Sequence, residues 1–88
     1  MEETWYIYII ETEKNKLYTG IAKDPEKRFY QHLFDAKKGA KFFRSDTPEK
    51  FVYLEVRLSK SDALKRELAI KKLHRSAKLE LIQKFLGK

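Results

Sequence analysis

The most constraining feature of the sequence is the run TWYIYIIE at residues 4–11, which is rich in β-branched and aromatic residues. Such residues favour strands, in which successive side chains point to opposite faces. Both faces of this strand are apolar or aromatic: Tyr6, Tyr8 and Ile10 on one, Trp5, Ile7 and Ile9 on the other. We therefore expect other elements to cover the strand on both sides.

Two further strands follow from the pattern. The polar turn TEKNK leads into LYTGI at residues 17–21, which predicts an antiparallel hairpin with Tyr18 and Gly20 on one face. A loop over residues 39–50 precedes FVYLEVRL at residues 51–58, which predicts the third strand.

Three helices are predicted. The first has Asp24 as N-cap and Pro25 at its first position, runs to about Lys38 and is closed by Gly39. The spacing predicts that its buried stripe consists of Phe29, Leu33 and Ala36.

The second helix is predicted over residues 62–73 with Ser61 as its cap, and the third over residues 77–86. The third helix ends at Gly87 and carries an apolar face made of Leu79, Ile82 and Phe85 or Leu86. The order β-β-α-β-α-α predicts an α+β fold, a three-stranded antiparallel sheet flanked by three helices, in a single domain over residues 1–88.

Composition narrows the class of protein. The chain has no cysteine, which excludes disulfides and thiolate metal sites. No apolar run approaches membrane-spanning length, and residues 1–10 lack a basic start and a cleavage site. We expect a soluble, cytoplasmic protein that has no membrane partner.

The basic charge is confined to one end of the sequence. Residues 1–56 carry ten Lys/Arg and ten Asp/Glu, whereas residues 57–88 carry ten Lys/Arg and three acids, so the last third holds the whole excess of +7. Such a surface attracts nucleic acid, although a solvated, Lys-rich helical surface would show the same pattern.

Glu67 is out of place on the second helix, because Ala63, Leu64 and Ile70 put it within the apolar stripe. A carboxylate there is costly unless it is paired or binds a metal. The structural alternatives are an ion pair with Lys71 at i+4 and a side chain that reaches solvent from the edge of the stripe.

Arg28 and His32 lie four residues apart, on one side of the first helix. Taken singly, Arg28 could pair with the nearby acids Glu26 or Asp35, and His32 could be an ordinary helix-face residue. The tyrosines could serve packing alone.

Taken together, YIY at 6–8, YTG at 18–20, Arg28, His32 and Glu67 resemble the GIY-YIG nuclease superfamily. The resemblance is to its small stand-alone bacterial members, which are related to the N-terminal incision domain of the excision-repair nuclease. It extends from Trp5 to about Leu73 and reinforces the expected fold.

The resemblance implies a catalytic group. Tyr8 or Tyr18 would be the general base and the other would position the water or the phosphate; which does which stays open. Gly20 would allow close backbone approach to the substrate, Arg28 would bind the scissile phosphate, and His32 would help the base or contact phosphate. Glu67 would be the sole protein ligand of one Mg²⁺ or Mn²⁺ ion.

The implied activity is metal-dependent hydrolysis of phosphodiester bonds, in DNA rather than RNA, during DNA repair or processing. Eight basic residues are candidates for contacts to the backbone, and each is equally plausible as a solvated charge: Lys23, Lys37, Lys38, Lys41, Arg44, Lys71, Lys72 and Arg75. A nucleic-acid-binding module with little catalytic power and a small interaction domain that binds an acidic protein are the alternatives. The need for a protein partner and the oligomeric state stay open.

Overall fold

The computed structural model describes residues 3–35 and 38–87 and confirms the α+β fold and its element order. The elements are β1 (Trp5–Thr12), β2 (Leu17–Ala22), α1 (Pro25–Phe34), a 3₁₀ turn (Lys41–Arg44), β3 (Pro48–Arg57), α2 (Lys60–Lys71) and α3 (Arg75–Phe85). Within the described residues, every helix is too short or too polar to span a membrane.

Strand β1 lies in the middle of the sheet, whose order is β2-β1-β3 with antiparallel pairing on both sides. Its residues from Ile7 to Ile10 are buried on both faces, as the sequence predicts. One face belongs to a cluster formed with α2 and α3: Ile7, Ile9, Val52, Tyr53, Ala63, Ile70 and Ile82. The other face packs under α1 and the 3₁₀ turn, in a cluster of Tyr8, Ile10, Ala22 and Phe43.

The hairpin register fixes which side chains are neighbours. Tyr8 pairs with Gly20 and Ile10 pairs with Tyr18, so the two tyrosines lie diagonally on the same face of the sheet. Tyr8 and Tyr18 must share a face of the sheet if both are to act on the same substrate.

Helix α1 differs from the prediction in length and in its buried side. It ends at Phe34 rather than near Lys38, and Asp35 adopts an extended backbone conformation. Gly39 then donates its N–H to the carbonyl of Asp35 at 2.8 Å. The buried residue of α1 is His32, whereas Phe29 and Leu33 are half-buried.

The predicted stripe on α1 is therefore wrong in part, and its third member, Ala36, lies outside the described residues. The physical reason is that His32 finds a hydrogen-bond partner for each ring nitrogen, which removes the usual penalty for burying an imidazole.

The other helices begin earlier than predicted. Ser59, not Ser61, caps α2, and its hydroxyl accepts the N–H of Asp62 at 3.1 Å. Ala63 and Ile70 are buried but Leu64 is exposed, so the predicted stripe on α2 is narrower than expected.

Only Ile82 of the predicted apolar face on α3 is buried, while Leu79, Phe85 and Leu86 stay exposed. The sheet below has only three strands, which is too narrow to cover the whole face of the last helix. The predicted loop 39–50 is also shorter than expected, because it contains the 3₁₀ turn and the first three residues of β3.

A buried polar contact ties the segment after the 3₁₀ turn to the hairpin. Thr12 and Asp46 are both buried, and the Thr12 hydroxyl donates to the Asp46 carboxylate. The other carboxylate oxygen of Asp46 accepts the N–H of Lys14 at 3.2 Å. The Thr12 hydroxyl oxygen also accepts the N–H of Lys16 at 3.0 Å.

We expect Thr12→Val to lower the free energy of unfolding by about 1–3 kcal/mol, because it leaves Oδ2 of Asp46 and the Lys16 N–H without this partner at nearly unchanged volume. Urea unfolding followed by Trp5 fluorescence measures the change. Thr4→Val, at an exposed position, is the matched control and should change stability by less than about 0.5 kcal/mol. Equal effects of the two substitutions would contradict the anchoring role.

Candidate active site

The centre of the candidate site is the Tyr8 phenol, which is 1% exposed and lies across the backbone of Gly20. A Cβ at position 20 would come within 2.5 Å of the Tyr8 hydroxyl oxygen and 2.7 Å of Cζ. Glycine is therefore needed at this position to make room for the phenol, which is a structural reason that the sequence did not reveal.

His32 holds the Tyr8 hydroxyl through a hydrogen bond of 3.1 Å at Nε2. The backbone N–H of Ala40 donates to the other ring nitrogen, Nδ1, also at 3.1 Å. Since Nδ1 accepts this bond, the neutral imidazole carries its proton on Nε2 and donates it toward Tyr8. Burial, followed by the charge of Arg28, lowers the pKa of His32 to about 4, so the ring is neutral at pH 7.

Tyr18 completes an aromatic group around this hydrogen bond. Its ring centroid lies 5.4 Å from that of His32 and 6.2 Å from that of Tyr8. The 3₁₀ turn adds Phe42 at 5.4 Å and Phe43 at 4.7 Å from Tyr18. The phenylalanines and the Ala40 N–H are parts of the site that sequence reasoning missed, although the pair FF after a glycine was a usable signal for packing.

Arg28 is fixed at the edge of this group by its Nη1, which donates to Gln31 Oε1 at 2.9 Å and to the Lys38 carbonyl. Those two bonds leave its Nε and Nη2 donors for another ligand. Its positive charge lowers the pKa of both Tyr8 and Tyr18. The pKa of each phenol is nevertheless raised above its ordinary value, chiefly by burial.

Glu67 lies on α2, which packs against β1 and the outer strand β2 on the opposite face of the sheet from Tyr8. Its negative charge still raises the pKa of Tyr8 and of Tyr18, so it acts on both phenols. Because β2 is an outer strand, residues from the α1 side and from the α2 side of the sheet can approach each other at the sheet edge formed by β2.

The Glu67 side chain is 17% exposed and pairs with Lys71 at 3.4 Å, which is the structural alternative that the sequence raised. Among residues 3–35 and 38–87 no three His, Cys, Asp or Glu residues gather as metal ligands. A lone carboxylate can hold Mg²⁺ or Mn²⁺ only if water and the phosphate oxygens of the substrate supply the other ligands of the ion.

The basic residues divide into two groups. Lys41 and Arg44 are exposed at the ends of the 3₁₀ turn, beside the aromatic group. Lys23 lies elsewhere: it pairs with Glu3, and its Nζ is 5.5 Å from the centre of the Trp5 ring. Lys37 lies outside the described residues.

Known proteins are similar to this chain over most of its length. Residues 4–80 match the family described as the GIY-YIG catalytic domain. A UPF0213 protein of Pseudomonas aeruginosa is 45% identical over 78 residues, which cover 89% of this chain and 73% of that protein. A UPF0213 protein of Staphylococcus saprophyticus is 47% identical over 77 residues, covering 88% of this chain and 92% of that protein.

A solved structure is similar as well. The solution NMR structure of a UPF0213 protein from Bacillus halodurans superposes with a TM-score of 0.58 at 32% sequence identity. The superposition covers 91% of this chain and 83% of that one.

The depressed pKa of His32 predicts a pH dependence of stability. The unfolded chain protonates this ring near pH 6.5 and the folded protein only near pH 4, so stability is complete above pH 6.5 and is lost as the pH falls through this window. Between pH 7.5 and pH 5, protonation of His32 in the unfolded chain should lower the free energy of unfolding by about 2 kcal/mol.

Urea unfolding of the wild type and of His32→Gln at both pH values measures this contribution, because the variant should lack that part of the loss. His74→Gln is the matched control, since His74 is exposed on the loop before α3 and its variant should keep the wild-type pH dependence. A His32→Gln protein with the full pH dependence would show that His32 is not held neutral.

Proposed function

The chain belongs to the GIY-YIG catalytic domain family, and on that basis we propose that it is a metal-dependent endonuclease that hydrolyses phosphodiester bonds in DNA, in repair or processing. The observation that carries the proposal is the group around Tyr8: a phenol bonded to His32 and next to Tyr18, with the charges of Arg28 and Glu67 acting on both phenols. A nuclease site needs a base, a cationic clamp and a metal ligand. The phenols and Arg28 are candidates for the first two, and Glu67, on the helix that packs against the other face of the sheet, is the candidate for the third.

Tyr8 is the better candidate for the general base. The N–H of Ala40 occupies Nδ1 of His32, so Nε2 donates its proton to the Tyr8 oxygen. A donated hydrogen bond favours the phenolate over the phenol, and the phenolate can take the proton of the attacking water. In this scheme His32 is a positioning residue that donates to the base and does not itself remove a proton.

Tyr18 then serves as a protonated donor. No hydrogen bond holds its hydroxyl within the described part of the chain, and its pKa is raised, chiefly by burial, so it keeps its proton at neutral pH. A phenol O–H beside Tyr8 can orient the water or a phosphate oxygen. The two tyrosines thus have different roles, although the sequence treats them alike.

Arg28 supplies the clamp for the phosphate. Its Nε and Nη2 groups remain free of Gln31 and Lys38, and a guanidinium can donate two parallel hydrogen bonds to phosphate oxygens. Its positive charge also opposes the effect of burial on Tyr8 and brings the phenol closer to ionisation.

Glu67 would hold one Mg²⁺ or Mn²⁺ ion, which when bound supplies positive charge to a phosphate oxygen and to the nearby phenolate. In the free protein Lys71 occupies this carboxylate at 3.4 Å. An ion that binds this carboxylate oxygen would displace Lys71, and its ammonium group would then become available to a DNA phosphate. This competition implies weak metal binding in the absence of DNA.

The same ion pair favours a second candidate function, a nucleic-acid-binding module without catalysis. If the pair between Glu67 and Lys71 persisted with DNA bound, the carboxylate would stay neutralised and no ion could bind there. The two functions differ in a measurable way, because only the nuclease depends on a free Glu67 carboxylate.

We expect Glu67→Gln to reduce cleavage of DNA by about 100-fold or more, while the affinity for DNA stays within a factor of about two. The assay uses branched, nicked and single-stranded DNA with Mg²⁺ or Mn²⁺, and gel shifts with EDTA measure binding. Glu80→Gln, at an exposed position on α3, is the matched control and should cleave normally. Undiminished cleavage by Glu67→Gln would overturn the metal assignment, and DNA binding without cleavage by the wild type would favour the second candidate.

We also expect Tyr8→Phe to lose about 10²- to 10⁴-fold in rate and Tyr18→Phe to lose less, because only the first removes the base. Because the pKa of Tyr8 is raised, the phenolate fraction grows with pH, and the single-turnover rate should rise about tenfold per pH unit near neutrality. Tyr18→Phe should keep that slope. A slope that survives in Tyr8→Phe and disappears in Tyr18→Phe would reverse the two roles.

A further inference from the structure

A cavity of about 260 Å³ lies beside His32, between the C-terminal end of α1 and the 3₁₀ turn. The residues that line it include His32, Phe34, Asp35, Gly39, Phe43 and Arg44. Its volume lies below the roughly 300–1,000 Å³ of sites for drug-sized ligands, so it suits a single planar ring system.

Phe34, which lines this cavity, belongs to an exposed aromatic pair. Phe34 is 79% exposed and stacks on Tyr30, which is 55% exposed, with ring centroids 6.1 Å apart and planes 10° from parallel. Neither side chain is needed to cover the sheet. Exposed aromatic faces of this kind mark contact sites, and every nucleobase has a face that can stack on them.

The polar groups at the cavity suit a nearly neutral ligand better than a phosphate. Arg44 is exposed and makes no hydrogen bond or ion pair within residues 3–35 and 38–87. A guanidinium can stack on a base or donate to its edge. Asp35 also lines the cavity, and its negative charge would repel a phosphate.

The cavity and the candidate active site share two side chains. His32 lines the cavity and bonds Tyr8 at 3.1 Å, and Phe43 lines the cavity with its ring centroid 4.7 Å from that of Tyr18. A ligand in the cavity is therefore only one side chain away from the group proposed to act on a phosphate. Within a nucleic acid, the planar ring system that lies this close to a phosphate is the base of an adjoining nucleotide.

We propose that this cavity binds one unstacked nucleobase next to the scissile phosphate, with Phe34 as the stacking face and Arg44 at its edge. The proposal rests on the proposed function for the identity of the ligand as nucleic acid. A base inside a regular duplex is covered on both faces by its neighbours, so it must leave the stack to reach Phe34. The cavity thus selects nucleotides at positions where a base is free to leave the stack.

The test measures base binding without cleavage. Oligonucleotides carrying 2-aminopurine at successive positions are mixed with the full chain in EDTA, and fluorescence reports the environment of each base. We expect one position to respond with the wild type and with Phe34→Tyr, which keeps the ring, and to lose the response with Phe34→Ala. Affinity should fall roughly 5- to 150-fold in Phe34→Ala.

Phe85→Ala is the matched control, because Phe85 is an exposed aromatic residue on α3 and its variant should bind like the wild type. An abasic nucleotide at the responding position should weaken binding to the wild type but not to Phe34→Ala. Circular dichroism of each variant checks that it is folded.

The outcomes separate this proposal from the proposed function. Cleavage with no 2-aminopurine position that depends on Phe34 would overturn the base site and leave the nuclease intact. A Phe34-dependent position in a protein that never cleaves would support the base site and overturn the nuclease. If Phe34→Ala converted a dimer to a monomer in sedimentation without changing the affinity for DNA, the aromatic pair would be an interface between copies, and the base site would be overturned.

Discussion

The burial of β1 on both faces is the constraint on which the rest of the structure depends. Ile7 and Ile9 are fully buried under α2 and α3, while Tyr8 and Ile10 are buried on the other side. A shift of pairing by one residue would exchange these two sets between the faces, so the register is strongly specified. The same apolar contacts that hold the sheet together thus aim the Tyr8 phenol at His32.

The Tyr8 hydroxyl and the His32 ring can be buried in this apolar layer because each polar atom has a hydrogen-bond partner. The chain of contacts runs from the Ala40 N–H through His32 to the Tyr8 oxygen. Burial raises the pKa of the phenol and lowers that of the imidazole, so both are neutral in the free protein. Under the proposed function, the group becomes reactive only when phosphate and a cation bring charge to it.

One short segment, residues 39–46, connects the parts of the site. Gly39 packs closely on the end of α1, where an added Cβ would come within 2.9 Å of the Gln31 carbonyl oxygen. Ala40 then sets the tautomer of His32, Phe43 packs against Tyr18, and Asp46 ties the segment to Thr12 of the hairpin. The segment is therefore structural support for the tyrosines as well as one wall of the cavity proposed to bind a base.

The sequence alone determined the element order, the two-faced central strand and the placement of Tyr18 and Gly20 on one face, because strand alternation and hairpin pairing are local rules. The hairpin register observed in the structure then put Tyr8 on the same face as those two residues. Local rules also located Arg28, His32 and Glu67 on helices. Only the tertiary structure decided that α1 buries His32, that Ser59 caps α2 and that Lys71 occupies Glu67. Contacts from segments outside a helix decide which side of the helix is buried and whether a polar atom there has a partner. The Ala40 N–H is such a contact, and the periodicity of the helix sequence does not predict it.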